Sequence, residues 1–187
     1  MDQLRDLLVD NLQDLLHAEM QLIQALPKMA ESAHNPQLKR AIEKHLQQTQ
    51  GHAERLHHAF EVLGEKAQPK PCKGMKGIID EGAETIEENE ELEELGADLA
   101  LIGAAQKAEH YEISGYGTAR CLARQIGEQE VAKLLSHTLG EEESADFLLT
   151  EIGKPILQQA ALADNGSEVE SELEVHPVKA KAKSQKA

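Results

Sequence analysis

Apolar residues recur at intervals of three and four along four long stretches of the chain, and this spacing predicts four long amphipathic helices. In the first stretch the repeat runs through Leu8, Leu12, Leu15, Leu22 and Leu26. Each apolar face has to be buried, and four such helices predict an all-α fold, a four-helix bundle. Aromatic residues make up only 2% of the chain, which disfavours β-sandwiches and β-barrels because their strands are rich in such residues.

Turn signals divide the four stretches. Asn35-Pro36 is typical of a helix start, while Gly64 and Gly127 are suited to helix ends. We expect Pro27 to kink the first helix or to end its regular part, and Gly153 with Pro155 to end the last one. The predicted helices cover about 2–33, 36–63, 91–126 and 128–152.

The connection between the second and third helices is long. Residues 64–77 contain two prolines, three glycines and four lysines, which predicts a loop, and a short acidic helix is expected near 78–88. Ferritin-like folds use one such long crossover. We therefore predict a ferritin-like bundle over 1–163, with a short extra helix in the crossover, followed by a flexible, disordered charged tail over 164–187.

Charge and chain composition restrict the partners. The chain carries 34 acidic and 19 basic side chains, a formal net charge of −15, which argues against nucleic acid and anionic membranes. No basic and apolar leader and no run of about 18 apolar residues is visible, so a cytoplasmic protein with two reduced thiols is expected. Between Asp80 and Asp98 there are ten acids and no base; we interpret this run as a solvated face, with a cation funnel as the less favoured alternative.

Carboxylates and histidines interrupt the leucine stripes near the middle of every helix. A buried carboxylate costs several kcal/mol unless it is paired or bound to a metal. Four interruptions at mid-helix therefore predict a metal site in the bundle core. The candidate metal ligands are Glu19, His52, Glu109, Glu112, Glu142 and Asp146.

Equal sequence separations support this site. Glu19 and His52 are 33 residues apart, as are Glu109 and Glu142. Each pair lies about equally far from its helix–helix turn, and such residues sit at the same height on adjacent helices. We expect Glu19 to face His52, and Glu109 to face the segment from Glu142 to Asp146, in one central layer.

Several neighbours of this layer have open roles. His45 and Thr49 are interpreted either as supports of the metal ligands or as satisfied core residues. Glu141 and Glu143 are placed on the solvated side, although an error of one residue in the stripe would exchange Glu143 for Glu142. Tyr111 and Tyr116 flank the carboxylates. For both tyrosines, packing in the core is favoured over a hydrogen bond to a ligand.

Four segments carry a resemblance to a known family: AEMQL at 18–22, HLQQTQGHAERL at 45–56, AEHYEISGYGT at 108–118 and TLGEEESAD at 138–146. Over residues 2–160 the chain resembles the ferritin-like superfamily and, more closely, the YciE/YciF family of bacterial stress proteins. The resemblance implies a dinuclear iron site with Glu19 and Glu109 as its catalytic residues, and a homodimer. The superfamily pattern has Glu-x-x-His where this chain has Thr49-x-x-His52.

Carboxylate and imidazole ligands suit iron, and manganese or zinc as alternatives. The first functional hypothesis is therefore a stress-response protein that binds two iron ions and oxidises Fe(II) with dioxygen or peroxide. The second is a non-enzymatic helical stress or interaction module whose buried polar layer fixes helix register. The third is a metal-binding protein without turnover.

Overall fold

A computed structural model describes residues 3–88 and 93–174 of the chain. Five helices make up nearly all of these residues: α1 (Gln3–Ser32), α2 (Pro36–Leu63), α3 (Lys73–Glu88), α4 (Glu94–Gln125) and α5 (Gln129–Glu174). The described residues contain no strand, so the prediction of an all-α fold is confirmed. Within the same residues, no helix has an apolar stretch long enough to cross a membrane.

Four of the helices form the predicted bundle. α1 packs on α2 and α4, and α5 packs on α2 and α4, while α3 lies in the long crossover and packs against α1 and α4. The ferritin-like bundle with a short extra helix in its crossover is thus confirmed. α3 begins at Lys73, however, so the prediction of a loop through residue 77 is wrong.

Buried side chains explain why the crossover turns helical so early. Cys72 and Met75 are buried against α1 and α4. The Tyr111 hydroxyl donates to Oδ2 of Asp14 over 2.7 Å and lies 2.9 Å from the Cys72 sulfur. The Cys72 amide donates to Nδ1 of His17. This network fixes the first turn of α3, and it gives Tyr111 a core role.

The turn between α1 and α2 is held by side chains from two directions. Asn35 caps α2, its side chain accepting from the amides of Gln37 and Leu38. Asp98 of α4 accepts from the amides of His34 and Asn35, each over 2.8 Å. Asp98 is buried, so its assignment to a solvated acidic face is wrong: it ties α4 to this turn.

The prediction that Gly153 and Pro155 end the last helix is wrong, and of the two alternatives for Pro27, a kink or an end, the structure excludes the end. α1 runs through Pro27 to Ser32, and α5 runs through Gly153 and Pro155 to Glu174. Both prolines are exposed, so water is free to hydrate the carbonyl that lacks its usual donor. Gly153 is buried, and a Cβ there would make ordinary van der Waals contact with Cδ1 of Ile102 at 3.5 Å. α5 thus enters the predicted tail, of which 175–187 lie outside the described residues.

The apolar core consists of two clusters with a polar layer between them. The Leu8 cluster fills one end of the bundle and includes Leu12, Phe60 and Leu135. The Leu26 cluster fills the other end. Between these ends, mid-helix positions that would continue the apolar core carry buried ionisable side chains.

Candidate metal centre

Six buried ionisable residues from all four bundle helices form this polar layer: Glu19, His45, His52, Glu109, Glu112 and Glu142. They fall into two groups, and within each group one ligand atom per residue lies within 4.8 Å of every other. The first group contains His45, Glu109, Glu112 and Glu142. The second contains Glu19, His52 and Glu142, so Glu142 belongs to both.

In the first group, the imidazole of His45 lies between two carboxylates. Its Nε2 is 3.2 Å from Oε1 of Glu109 and 3.8 Å from Oε2 of Glu142. Glu112, one turn after Glu109 on α4, brings a further carboxylate to the group. Three carboxylates thus converge on one imidazole inside the bundle.

In the second group, His52 faces carboxylates from α1 and α5. Its Nδ1 lies 2.8 Å from Oε1 of Glu142 and 3.5 Å from Oε1 of Glu19. Glu19 and His52 therefore face each other as their sequence separation predicted. The hydroxyl of the buried Tyr116 donates a hydrogen bond to Oε1 of Glu19, which places one tyrosine directly on a candidate ligand.

Within residues 3–88 and 93–174, many polar atoms of the layer have no hydrogen-bond partner although they are fully buried. These atoms are both carboxylate oxygens of Glu112, Oε2 of Glu19, Glu109 and Glu142, and Nδ1 of His45. Nδ1 of His52 and Oε1 of Glu142 also lack a hydrogen bond, but they contact each other as an ion pair over 2.8 Å. Buried polar groups are normally satisfied, and an unsatisfied one costs about 1–3 kcal/mol. A divalent cation would satisfy several of these lone pairs at once, so the donor set fits a metal.

Burial and mutual repulsion shift the pKa values of the layer. Burial, together with neighbouring carboxylates, raises the pKa values of Glu109 and Glu112 well above 4.5, and burial raises that of Glu19. Burial lowers the pKa of His45. Burial also acts to lower the pKa of His52, but the carboxylates beside that ring outweigh it and raise the value to about 10. Without metal the carboxyls of the layer and His52 therefore keep protons to a higher pH than free groups do, and a bound cation would displace these protons.

Glu141 and Arg55 support the ring of His52 from outside the layer. Nε2 of His52 donates to Oε2 of Glu141 over 3.2 Å. Arg55 donates to the same carboxylate and to the hydroxyl of Thr138, and this guanidinium holds the pKa of Glu141 below its ordinary value despite partial burial. With Nε2 hydrogen-bonded in this way, Nδ1 is left to face Glu19 and Glu142. Glu141 thus contacts the layer, which the solvated position predicted for it did not anticipate.

The structure brings five of the predicted ligands into the layer and leaves one outside. Glu142 is fully buried and Glu143 is exposed, which decides between these neighbours. Asp146 joins neither group. Its side chain is 24% exposed, lies 3.3 Å from Nε2 of His110 and accepts from Gln106 over 2.8 Å.

His45 is the member of the layer that the sequence analysis left open. It lies seven positions before His52, and two residues so spaced share one face of a helix. Thr49 lies between them, where the superfamily pattern has a carboxylate, and its hydroxyl donates to the carbonyl of His45 instead. The separation of seven residues between His45 and His52, which puts both on the buried face of α2, was the sequence signal that could have identified His45.

Comparisons with known proteins agree with this architecture. The family described as domain of unknown function DUF892 matches residues 3–162. Protein YciF of Escherichia coli is 42% identical over 135 residues, which cover 72% of this chain and 80% of that protein. The crystal structure of that stress protein superposes with a TM-score of 0.80 at 40% identity, covering 84% of this chain and 99% of the other.

Two further solved structures share the fold. YcfI, described as a candidate structural protein of Rhodopseudomonas palustris, gives a TM-score of 0.75 at 37% identity over 79% of this chain and 92% of its own. A protein of Xanthomonas campestris gives 0.67 at 26% identity over 87% and 99%. The resemblance to YciE/YciF-type stress proteins inferred from the motifs is confirmed, and the chain belongs to the DUF892 family.

Proposed function

We propose that the polar layer binds two divalent cations, with iron favoured over manganese and zinc, and that the protein oxidises Fe(II). The observation that supports this proposal is the convergence of four carboxylates and two imidazoles whose buried oxygen and nitrogen atoms lack partners. Oxygen and imidazole ligands suit these metals, and supply and geometry select among them.

The two groups suggest which residues hold each ion. His45, Glu109 and Glu112 would hold one and Glu19 and His52 the other, and Glu142, which belongs to both groups, would help to hold both. Asp146, the remaining predicted ligand, lies outside both groups. Glu19 and Glu109 stay the proposed catalytic residues, one in each group.

The proposed reaction is the two-electron reduction of dioxygen by ferrous ion as the substrate. Two Fe(II) ions give up one electron each, and dioxygen takes up these electrons with two protons to form hydrogen peroxide. When bound, the metal supplies the one-electron chemistry. The protein residues would hold the ions in a water-poor layer, and burial raises the pKa values of Glu109 and Glu112, so these carboxyls keep their protons to a higher pH than free carboxyls do.

A stoichiometry and oxidation experiment tests the proposal. Chelator-treated protein is titrated anaerobically with Fe(II), metal content is measured, and air-saturated buffer is then added while Fe(III) absorbance is followed. We expect two ions per chain and oxidation faster than in buffer, both lost in the double variant Glu19→Gln, Glu109→Gln. The matched control is Glu143→Gln, an exposed carboxylate beside the layer, which is expected to behave as the unmodified protein.

Two results would overturn parts of the proposal. Failure of the folded protein to retain any Fe(II), Mn(II) or Zn(II) would exclude both metal-dependent functions. Retention of two ions with oxidation no faster than in buffer would leave a metal-binding protein without turnover.

A structural module is the second candidate function. The description of the Rhodopseudomonas palustris relative as a candidate structural protein favours it. A buried polar layer is able to fix helix register because any slip would leave its charges unpaired. Under this function, replacing Glu19 and Glu109 would alter stability or pairing and leave no metal-dependent signal to lose.

We further propose a cytoplasmic homodimer. Large apolar side chains are exposed on α1 and α5, among them Leu4, Leu7, Phe147 and Leu157, and such surface is available for pairing. Light scattering coupled to size-exclusion chromatography tests this state, and a monomer at micromolar concentration would contradict it.

A further inference from the structure

A narrow pocket opens between α2 and α5 and ends at the polar layer. Its volume is about 60 Å³. Its walls include Ala41 of α2 and Ala145 and Leu148 of α5, and its inner end is lined by His45 and Glu109. The pocket therefore joins the molecular surface to the first of the two ligand groups.

Differences in exposure within the layer agree with this position. The side chains of His45 and Glu109 are 8% and 4% exposed. Those of Glu19, His52 and Glu142 are 0% exposed. The second group is thus sealed, while the first group retains slight exposure where it lines the pocket.

The chemistry of the pocket favours small uncharged molecules. Most of its lining surface is apolar. Lys44 and Glu141 both line it with opposite charges, and Glu141 is already paired with Arg55, so the pocket does not form an attractive field for cations. A cavity of this volume holds only a few molecules of the size of water.

We infer that this pocket is the entrance through which small uncharged molecules such as dioxygen or hydrogen peroxide reach the His45–Glu109 side of the polar layer. Ala145 lines the pocket with a small side chain, so a larger side chain at this position is expected to fill it. That the entering molecule is an oxidant rests on the proposed function. That small molecules enter by this pocket does not.

Water serves as a probe of access without any metal. Metal-free protein is incubated in D₂O, and deuterium exchange at the imidazole C2 position is measured for each histidine by peptide mass spectrometry. Ala145→Phe is expected to slow exchange at His45 by about tenfold, equivalent to about 1.4 kcal/mol of added barrier. Exchange at the exposed His110 is expected to stay unchanged.

Two further variants guard this experiment. Ala41→Phe fills the pocket from the opposite wall and is expected to act in the same way, so it replaces Ala145→Phe if that variant fails to fold. Gly140→Phe adds the same ring to α5 at an exposed position where a Cβ would contact nothing within 4 Å, and it is expected to leave His45 exchange unchanged. Unchanged His45 exchange in a folded pocket-filling variant would overturn the entrance.

A second arm tests a neutral diatomic molecule directly. In protein loaded anaerobically with Fe(II), the rate of nitric oxide binding is followed by the absorbance of the iron–nitrosyl complex. Ala145→Phe is expected to slow this binding without changing the iron content. If the unmodified protein binds no iron, the proposed function fails while the exchange experiment still decides on the entrance. An unchanged nitric oxide rate at full iron content would overturn the entrance alone.

Discussion

Glu142 is the residue on which both ligand groups depend. It is fully buried, and neither of its oxygens has a hydrogen-bond partner within the described part of the chain. It lies 2.8 Å from the His52 ring and 3.8 Å from the His45 ring. Its neighbour Glu143 is exposed and makes an internal control.

Replacing Glu142 should therefore lower the affinity for both proposed metal ions together. Glu142→Gln preserves size but removes the negative charge shared by the groups, so we expect affinity for each ion to fall by more than the roughly 10–100-fold that loss of an outer supporting residue produces. Calorimetric titration with Mn(II) measures this. Glu143→Gln should bind normally, and loss of only one ion in Glu142→Gln would contradict the shared role.

Glu141 acts through His52. Glu141→Ala removes the acceptor of the Nε2 hydrogen bond, and because such partners orient a ligating ring, we expect about 10–100-fold weaker metal binding. Glu141→Gln keeps an acceptor oxygen and should restore most of the affinity. The ¹⁵N chemical shifts of His52 report which ring nitrogen is protonated. If the shifts in Glu141→Ala are the same as in the unmodified protein, Glu141 does not position the ring.

Equal spacing in two hairpins predicted that Glu19, His52, Glu109 and Glu142 lie at one height, and the inward seam of α4 added Glu112. Asp146 was assigned to the site as well, since Asp146 and Glu142 lie one turn apart on the same stripe. Only the side-chain contacts separate them: Asp146 pairs with Gln106 and His110 at the edge. The role of His45 could not be decided for the same reason. The apolar repeat shows which face of α2 is buried, but it does not show which carboxylates a side chain on that face contacts.

At the scale of helices, the docking of α3 depends on one close approach. A Cβ at Gly74 would lie 2.6 Å from Cε2 of Tyr111. That ring is held by hydrogen bonds to Asp14 and Cys72, so it has little freedom to move away. Gly77, on the same helix, would meet nothing within 4 Å.

These two glycines should respond in opposite directions to the same substitution. We expect Gly74→Ala to lower the free energy of unfolding by about 1–3 kcal/mol through overpacking. Gly77→Ala should raise it by about 0.5–1 kcal/mol because alanine loses less backbone entropy in a helix. Urea unfolding measures both. Equal midpoints would show that the Tyr111 ring is free to shift.

Helix ends were predictable where local chemistry decides them and not where tertiary contacts do. Asn35, Pro36 and Gly64 bound α2 as the sequence indicated. Pro155 failed as a stop because an exposed face tolerates proline, and residues 73–77 became helical because Cys72 and Met75 are buried. Such burial depends on partners far along the chain, which a local pattern does not contain.

For the whole molecule, the protons of the layer link stability to pH. A group whose pKa is raised by folding contributes stability that is present below its unfolded pKa and is lost as the pH rises through its folded pKa. His52, raised from 6.5 to about 10, acts in this sense between those values. Glu109 and Glu112 have raised pKa values and the same sign, starting from 4.5. His45, with a lowered pKa, acts oppositely and only below 6.5.

Metal-free protein should therefore lose thermal stability as the pH rises from about 6.5 toward 10. Scanning calorimetry of chelator-treated protein across this range measures the loss. Burial raises the pKa of Glu112 from 4.5, so Glu112→Gln should show a shallower decline in stability as the pH rises above 4.5. A melting temperature that rises with pH over the same range would contradict the retained protons.

The division of the core into the Leu8 and Leu26 clusters has a consequence for how the bundle opens. Each end has its own apolar packing, and the layer between them contains buried charged groups with few hydrogen bonds within the described residues. The two ends should then form separate cooperative unfolding units, seen as two classes of amide hydrogen exchange. A cation bound across all four helices would merge the two units into one. The supply of metal would then decide whether the bundle unfolds in one cooperative step or in two.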